Sequence, residues 1–435
     1  MRDYIIWTLY ATPLVVALLA HLSRRAAREA RSRELLEEAL QAGLTEPPSR
    51  YPLFDPAICM GGGACARACP EDAIGFVNGK AHLVDPAACI GHGTCAPACP
   101  VGAITLVYGT KKRGMEIPHV KDSYETNVPG IYIAGELGGL GLIHNATDQG
   151  RLAMASIAKK CGSLKHHHAF DVIIIGAGPA GIAATLGAMD NKLRFATLEQ
   201  QDALGGTVYR FPRAKLVMTY PVHLPLIGRI KVREILKEAL LGIWQDAADK
   251  VGMPINFNER VEQIAPADSG FVVKTNRSEY RTSNVLLALG RGGTPRKLGV
   301  PGEDLPKVLY HLIDAGEYRG RHMLVVGGGD SAIEAAFALA GEPGTQVTLA
   351  YRGEAFGRVK PKNRERLAEA EAAGRLSVVF NSTVARIETE QVVLDQQGES
   401  LVLANDYVIV CAGGILPTAM LKALGVEVEM KHGEA

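Results

Sequence analysis

Short runs of consecutive apolar residues mark the predicted strands of this chain. Residues 172–175 form one such run, which leads through glycines into an alanine-rich helical pattern at 182–189. Runs without polar positions are typical of strands that are buried on both faces of a parallel sheet. Residues 323–326 form another run of this kind, again followed by glycines. Strand, turn and helix in this order predict an α/β fold.

The longest apolar stretch lies at residues 4–22. As a helix it would be about 28 Å long, enough to cross the hydrocarbon core of a bilayer. Only Arg2 precedes it, whereas Arg24, Arg25, Arg28, Arg31 and Arg33 follow. This charge excess predicts a single-pass plasma-membrane anchor with the catalytic part in the cytoplasm. A cleaved signal peptide, the alternative, would carry its charges before the apolar run. Residues 23–50 are predicted to form a helical linker.

Six of the eight cysteines lie in a repeat that starts at Asp55 and again at Asp85. The first copy holds Cys59, Cys65 and Cys69, and the second holds Cys89, Cys95 and Cys99. Each copy ends in a Cys-Pro pair. Clustered cysteines in a chain with nucleotide-type turns and no secretion signature favour metal ligation over disulfides. A zinc or disulfide module is the alternative.

The repeat resembles the motif of bacterial two-cluster ferredoxins, in which the last cysteine of each run binds the other cluster. The resemblance implies a ferredoxin-like α+β domain at residues 51–108. It implies one iron–sulfur cluster on Cys59, Cys65 and Cys99, and another on Cys89, Cys95 and Cys69. The second cysteine of each run is replaced, by Gly62 and His92. Three thiolates suit a 3Fe-4S cluster, or a 4Fe-4S cluster with one exchangeable iron ligand, and His92 could supply that ligand in the second site.

The first glycine-rich turn predicts a dinucleotide site. In Gly176-x-Gly178-x-x-Gly181, the first glycine allows the tight turn and the second lets a pyrophosphate approach the backbone. The third permits close packing of helix on strand. Glu199 ends the next predicted strand, where an acid would hold a ribose hydroxyl.

A second turn predicts a nicotinamide dinucleotide site. It contains Gly327 and Gly329, with Ala332 at the third small position. The strand after it ends at Arg352 without an acid. Arg352 and Arg358 could hold a 2′-phosphate, which favours NADP over NAD.

Further motifs resemble thioredoxin-reductase-like flavoproteins. Gly206 and Thr207 lie in a Gly-Gly-Thr turn after the first site, as in that family. Gly135 and Glu136, followed by a helix with Gln149, resemble the family's C-terminal flavin-binding segment. The resemblance implies that these five residues contact FAD. The segment comes last in the family but precedes the first nucleotide strand here, so the chain is predicted to be circularly permuted.

The resemblance also implies the domain organisation. It gives two Rossmann-like domains of the three-layer ββα type: an FAD domain at 170–304 and an NAD(P) domain at 305–413. Residues 109–160 are the permuted part of the FAD domain, 163–169 are a linker, and 414–435 return into the FAD domain. The family's redox dithiol falls on residues 310–313, which contain no cysteine. Disulfide chemistry is therefore not expected.

The net charge of +1 implies no nucleic-acid partner. The order of anchor, cluster domain and flavoprotein predicts a membrane-anchored NAD(P)H:acceptor oxidoreductase. Electrons would pass from NAD(P)H through FAD to the clusters, then to a membrane-associated acceptor such as a quinone or cytochrome. Two alternatives stay open, a ferredoxin:NAD(P)+ reductase that runs in the opposite direction and a non-catalytic iron–sulfur redox sensor. A homodimer is a further open expectation.

Overall fold

The structure, a computed structural model, describes residues 2–41, 43–111, 113–139, 141–162, 168–218, 220–232, 234–291, 294–356 and 361–435. Arg358 and most of the predicted 163–169 linker lie outside these ranges. The chain forms two compact units. The first comprises Met1–Thr110, Ala355–Pro361 and Gly433–Ala435, and the second comprises Lys111–Glu354 and Lys362–His432.

The cysteine repeat builds two antiparallel hairpins in the first unit. Its elements are α1 (Arg2–Gln41), β1 (Tyr51–Phe54), α2 (Ala64–Ala68), β2 (Ile74–Val77), β3 (Lys80–Leu83) and β4 (Ile104–Val107). Strand β1 pairs with β4, and β2 pairs with β3. Asn78 and Gly79 join β2 to β3 and both have positive φ, as a two-residue hairpin turn requires. The hairpins enclose a small core that includes Cys59, Cys65 and Cys95.

Helix α1 packs on these hairpins through small side chains. The Oγ of the buried Ser32 accepts a hydrogen bond from the amide of Phe76 at 3.1 Å. A Cβ on Gly75 would lie 2.5 Å from that oxygen, so glycine permits the close approach. The segment predicted as a helical linker, residues 23–50, is helical up to Gln41, and its Ser32 and Leu44 are buried in the first unit.

Among the residues that the structure describes, no helix is long and apolar enough to cross a membrane. The predicted transmembrane anchor at 4–22 and the plasma-membrane localisation are therefore wrong. Helix α1 contains Pro13 and His21 within its apolar part, and Arg24 and Arg25 follow directly. These residues lower the mean hydropathy of every window that includes them. The expectation of a membrane partner rested on this anchor.

The second unit starts with the elements of the predicted FAD domain. They are β5 (Met115–Pro118), β6 (Ile131–Ile133), α3 (Ile143–Cys161), β7 (Phe170–Ile175), α4 (Pro179–Asp190), β8 (Phe195–Leu198), β9 (Leu216–Met218), β10 (Val222–Leu224), β11 (Gly228–Ile230), β12 (Glu234–Leu236), α5 (Lys237–Val251), β13 (Val261–Ala267), β14 (Gly270–Thr275) and β15 (Glu279–Leu287). The main sheet has the order β13-β14-β15-β7-β8. Its β7 and β8 are parallel to β15, while β13 to β15 form an antiparallel meander.

The segment before the first nucleotide strand completes this sheet. Strand β6 lies parallel to β15, with Ile131 opposite Val285 and Ile133 opposite Leu287. Ile131 and Ile133 are buried in the same core as Ile173 of β7. This pairing is the one that a circular permutation predicts.

The nicotinamide region follows. Its elements and those after it are β16 (Thr294–Pro295), β17 (Val308–Leu309), β18 (His322–Val326), α6 (Asp330–Ala340), β19 (Gln346–Ala350), α7 (Pro361–Ala372), β20 (Leu376–Val379), β21 (Ser382–Ile387), β22 (Gln391–Gln396), β23 (Glu399–Ala404), β24 (Tyr407–Val410), β25 (Gly414–Ile415), α8 (Thr418–Ala423) and β26 (Val428–Lys431). A parallel sheet has the order β17-β24-β18-β19-β20, and β21 to β23 form a separate antiparallel sheet.

The C-terminal residues divide between the two units. Strand β26 pairs with β5 in the second unit. The last three residues, which we predicted to return into the FAD domain with 414–432, belong to the first unit instead. There Tyr108 and Glu434 form an antiparallel bridge, and the Tyr108 amide donates to the Glu434 carbonyl at 2.8 Å.

Candidate dinucleotide and iron–sulfur sites

The first glycine-rich turn has the close backbone contacts that its sequence predicts. Gly176 has a φ of +104°, and a Cβ there would lie 2.6 Å from the carbonyl oxygen of Ala288. A Cβ on Gly181 would overlap the carbonyl oxygen of Gly176. Gly178 is the N-cap of α4, and among the described residues no side chain caps this helix. The helix N-terminus is therefore available to an anion such as a pyrophosphate.

Glu199 lies against this turn. One carboxylate oxygen accepts a hydrogen bond from the amide of Ala177 at 2.7 Å, and the other accepts from the amide of Gln201 at 2.9 Å. The side chain is buried. Glu199 thus fixes the turn, and each oxygen keeps lone-pair capacity for a further donor such as a ribose hydroxyl.

The Gly-Gly-Thr turn packs on the same place. The amide of Gly205 donates to the carbonyl of Ala177 at 2.8 Å. A Cβ on Gly206 would lie 3.0 Å from the Cα of Gly178. Thr207 is exposed beside Gly290, at the end of β15. The predicted residues of this turn therefore surround the first glycine-rich turn.

The permuted segment reaches the same site. The amide of Gly135 donates to the side-chain oxygen of Gln149 at 2.8 Å, which joins the end of β6 to α3. Gly150 lets α3 approach α4, because a Cβ there would overlap the carbonyl oxygen of Ala180. The permuted segment, residues 109–160, thus meets the first glycine-rich turn at the N-terminus of α4.

Glu136 follows Gly135. The flavoprotein family usually has Asp at the position of Glu136. Burial raises the pKa of Glu136, and the nearby Arg291 opposes this rise. Sequence reasoning missed Arg291. It lies four residues after the end of β15, and no motif singled it out.

The second glycine-rich turn repeats the geometry of the first. A Cβ on Gly327 would lie 2.5 Å from the carbonyl oxygen of Cys411 and 3.1 Å from the Cβ of the buried Ala332. Gly329 is the N-cap of α6, and no described atom lies within 4 Å of the position of a Cβ there. Arg352 is exposed just after β19. The described residues predicted for the nicotinamide dinucleotide therefore follow the carboxyl ends of β18 and β19 in the parallel sheet.

Tyr351 is a second residue that sequence reasoning missed. A Cβ on Gly328 would overlap the Tyr351 ring, so the ring packs directly on the glycine-rich turn. Because Tyr351 and Gly328 are far apart in the sequence, no local pattern marked this contact.

The thiols of the repeat lie near one another in the first unit, and their pKa values show which of them interact. Burial raises the pKa of Cys65, and its neighbours Cys59 and Cys99 raise it further. Burial likewise raises the pKa of Cys89 to about 12, with contributions from Cys69 and Cys95. Each of these two sets includes cysteines from both copies of the repeat, and Cys65 also raises the pKa of Cys95.

The loops around both groups are built for sulfur ligands. Gly61 and Gly63 in the first copy, and Gly91 and Gly93 in the second, all have positive φ. Hydrogen bonds from the backbone of Cys65 and Ala66 lower the pKa of Cys65, one from the backbone of Gly91 lowers the pKa of Cys89, and the amide of Ala103 donates to the sulfur of Cys99 at 3.4 Å. Amides directed at sulfur stabilise thiolates and cluster ligands.

His92 lines the same cavity as Cys69, Cys89 and Cys95. Thiolates that bind a single zinc ion lie about 4 Å apart. Among the described residues, no three side chains of His, Cys, Asp or Glu lie close enough together to hold one metal ion. Ligands of a cluster bind different irons and lie further apart, so the thiol groups fit clusters better than zinc. None of the eight cysteines, all of which the structure describes, forms a disulfide.

The two thiols outside this repeat form no dithiol. Cys161 lies at the end of α3, where Asn284 donates to its sulfur at 3.5 Å. Cys411 follows β24, and burial raises its pKa to about 11. One thiol is in the FAD part and the other in the nicotinamide part, and neither is at 310–313.

Two glycine-rich turns, each at the start of a helix beside a parallel sheet, define a reductase of the class that binds FAD and a nicotinamide dinucleotide. Residues 173–434 match the family model described as pyridine nucleotide-disulphide oxidoreductase, and the chain belongs to this family. Residues 51–100 match a 4Fe-4S dicluster domain. The protein is thus an FAD-dependent NAD(P)H oxidoreductase that also carries iron–sulfur clusters.

The chain is similar to enzymes named ferredoxin–NADP reductase. It is 30% identical over 270 residues to the one from Pediococcus pentosaceus, which covers 60% of this chain and 79% of that enzyme. It is 30% identical over 266 residues to the one from Ignicoccus hospitalis, with 60% and 83% covered. The bacillithiol disulfide reductase structure from Staphylococcus aureus is 23% identical, with a TM-score of 0.54 over 60% of this chain and 81% of that one. This last likeness shows the fold.

Proposed function

We propose that this protein exchanges electrons between NADPH and its own iron–sulfur clusters, so that the dicluster domain takes the place of a separate ferredoxin. One observation carries the proposal. The chain joins a reductase without a dithiol at 310–313 to a domain with six clustered thiols. The clusters are therefore the electron outlet that the chain itself supplies.

The residues of the second unit bind and orient the two nucleotides. The uncapped N-termini of α4 and α6 bind the pyrophosphates, and Glu199 and Gln149 hold the backbone of the flavin site in place. FAD, when bound, takes up an electron pair as hydride and releases electrons singly. No acid–base residue is required for hydride transfer, so the task of the protein is to position the two rings.

NADPH is the donor in this proposal because of the cluster ligands. Each site offers three cysteines instead of four, and a cluster with fewer thiolates carries less negative charge. Less negative charge raises the reduction potential. Raised potentials favour electron flow from NADPH to the clusters.

The reverse direction, from reduced clusters to NADP+, is the second candidate. The similar enzymes from Pediococcus pentosaceus and Ignicoccus hospitalis are named ferredoxin–NADP reductase, which favours this direction. It requires cluster potentials below that of the nicotinamide couple. A redox titration of the clusters therefore distinguishes the two directions.

The direct test is anaerobic addition of NADPH to purified protein. We expect flavin and cluster absorbance to bleach together, with cluster signals in electron paramagnetic resonance. Clusters that stay oxidised beside reduced flavin would contradict the forward direction. If reduced clusters then drive NADP+ reduction, the reverse direction holds.

Arg352 is expected to select NADPH through its 2′-phosphate. Because the side chain is exposed, we expect Arg352→Ala to raise the KM for NADPH about fivefold to tenfold, with little change in the KM for NADH. Arg375→Ala is the matched control, since Arg375 is exposed but precedes β20, at the opposite end of the parallel sheet. Steady-state kinetics with both nucleotides measure the effect. Equal losses for NADH and NADPH would contradict this role.

A further inference from the structure

The two cluster sites differ at the position of the missing fourth cysteine. Gly62 is exposed, and no described atom lies within 4 Å of the position of a Cβ there. His92, its equivalent in the second copy, is half-buried and lines the cavity of Cys69, Cys89 and Cys95. The first site is thus open to solvent where the second presents an imidazole.

Two cationic side chains contact the residues of the loop that holds the open position. The Nη1 atom of Arg67 lies 3.0 Å from the position of a Cβ on Gly63, the residue after Gly62. Lys80 donates from Nζ to the carbonyl of Cys59 at 2.7 Å. The acidic residue of this loop, Asp55, accepts instead from the amide of Ala57 at 2.8 Å. The charge beside the opening is therefore suited to an anion.

We propose that the first site, Cys59, Cys65 and Cys99, keeps one iron coordination position open to a small exogenous anion beside Arg67, whereas His92 closes the second site as a ligand. The first cluster can then bind an anion or lose its unique iron, while the second cannot. The dicluster domain thus contains one ligand-binding cluster and one fully ligated cluster. This inference does not depend on the direction of electron flow.

Controlled oxidation of the isolated protein tests the open position. Ferricyanide removes one electron from a 4Fe-4S(2+) cluster, which releases one ferrous ion and leaves a 3Fe-4S(1+) cluster. We expect a three-iron paramagnetic signal equal to one cluster per protein in the wild type. Gly62→Cys should abolish it, because the site has room for the side chain and a backbone without positive φ. His92→Ala should add a second three-iron cluster.

His92→Cys is the matched control. It adds a cysteine to the second site and should leave the wild-type signal unchanged. A wild type that yields no three-iron cluster, or a Gly62→Cys protein that still yields one, would overturn the proposal. A His92→Ala protein with the wild-type signal would also overturn the proposal. This second variant keeps the proposal testable if Gly62→Cys fails to fold.

Cyanide probes the anion. It should perturb the spectrum of the reduced four-iron wild type but not that of Gly62→Cys, and Arg67→Gln should weaken its binding about twofold to fivefold, since Arg67 is exposed. Cyanide binding that Gly62→Cys leaves intact would disprove the open position. All of these measurements omit NADPH. The open position can therefore be disproved while electron exchange with NADPH stands, and electron exchange can be disproved while the open position stands.

Discussion

Gly181→Ala is expected to yield protein without bound FAD. The new Cβ would overlap the carbonyl oxygen of Gly176, which is backbone and cannot rotate away. The turn would have to move from the N-terminus of α4, and the overpacking should cost about 1–3 kcal/mol of stability. The flavin absorbance per protein, measured after purification, should fall to near zero.

Iron content provides an internal control for Gly181→Ala, because the cluster ligands belong to the other unit. Iron should stay at the wild-type level. Gly242→Ala is the matched variant. It lies exposed within α5, and no described atom is within 4 Å of the position of its Cβ. It should keep FAD and raise helix stability by up to about 1 kcal/mol. A Gly181→Ala protein with full FAD would contradict the close contact.

Removal of both clusters should halve the number of electrons that NADPH delivers. The wild type is expected to take up about two equivalents of NADPH, one for FAD and one shared by two clusters that each accept a single electron. The double variant Cys65→Ser, Cys95→Ser removes one central ligand from each site and should take up about one. Anaerobic titration followed by absorbance measures both values.

Cys161→Ser is the control for this titration. Cys161 is a buried thiol of α3 outside the cluster repeat, so the uptake should stay at the wild-type value. An uptake of one equivalent by the wild type would contradict electron transfer from NADPH to the clusters. An uptake of two by the double variant would show that the additional electrons go elsewhere.

Local motifs predicted the parts of the sites that backbone geometry dictates. Gly176, Gly181 and Gly327 lie where a side chain would meet a carbonyl oxygen, and this requirement is visible in the sequence as glycine spacing. The exchange of the last cysteines between the two copies stays a prediction, which the electrostatic neighbours of Cys65 and Cys89 support. In both cases covalent spacing sets the geometry, so little depends on distant parts of the chain.

Features that depend on packing were not accessible in the same way. The apolar residues of α1 suggested a membrane span, but that signal cannot show that Ser32 of the same helix fits against Gly75. The contact of Gln149 with FAD stays a prediction, and the sequence could not show that its side-chain oxygen also accepts from the amide of Gly135. Tyr351 gave no motif because its contact with Gly328 depends on the tertiary fold.

The division of the chain limits how the protein can be dissected. The backbone passes from one unit to the other after Thr110, Glu354, Pro361 and His432. A single proteolytic cut therefore frees neither unit, and a fragment that ends at Thr110 lacks the Glu434 partner of Tyr108. A separately expressed first unit would have to carry a copy of Gly433–Ala435. Affinity tags are better fused at a site other than the C-terminus.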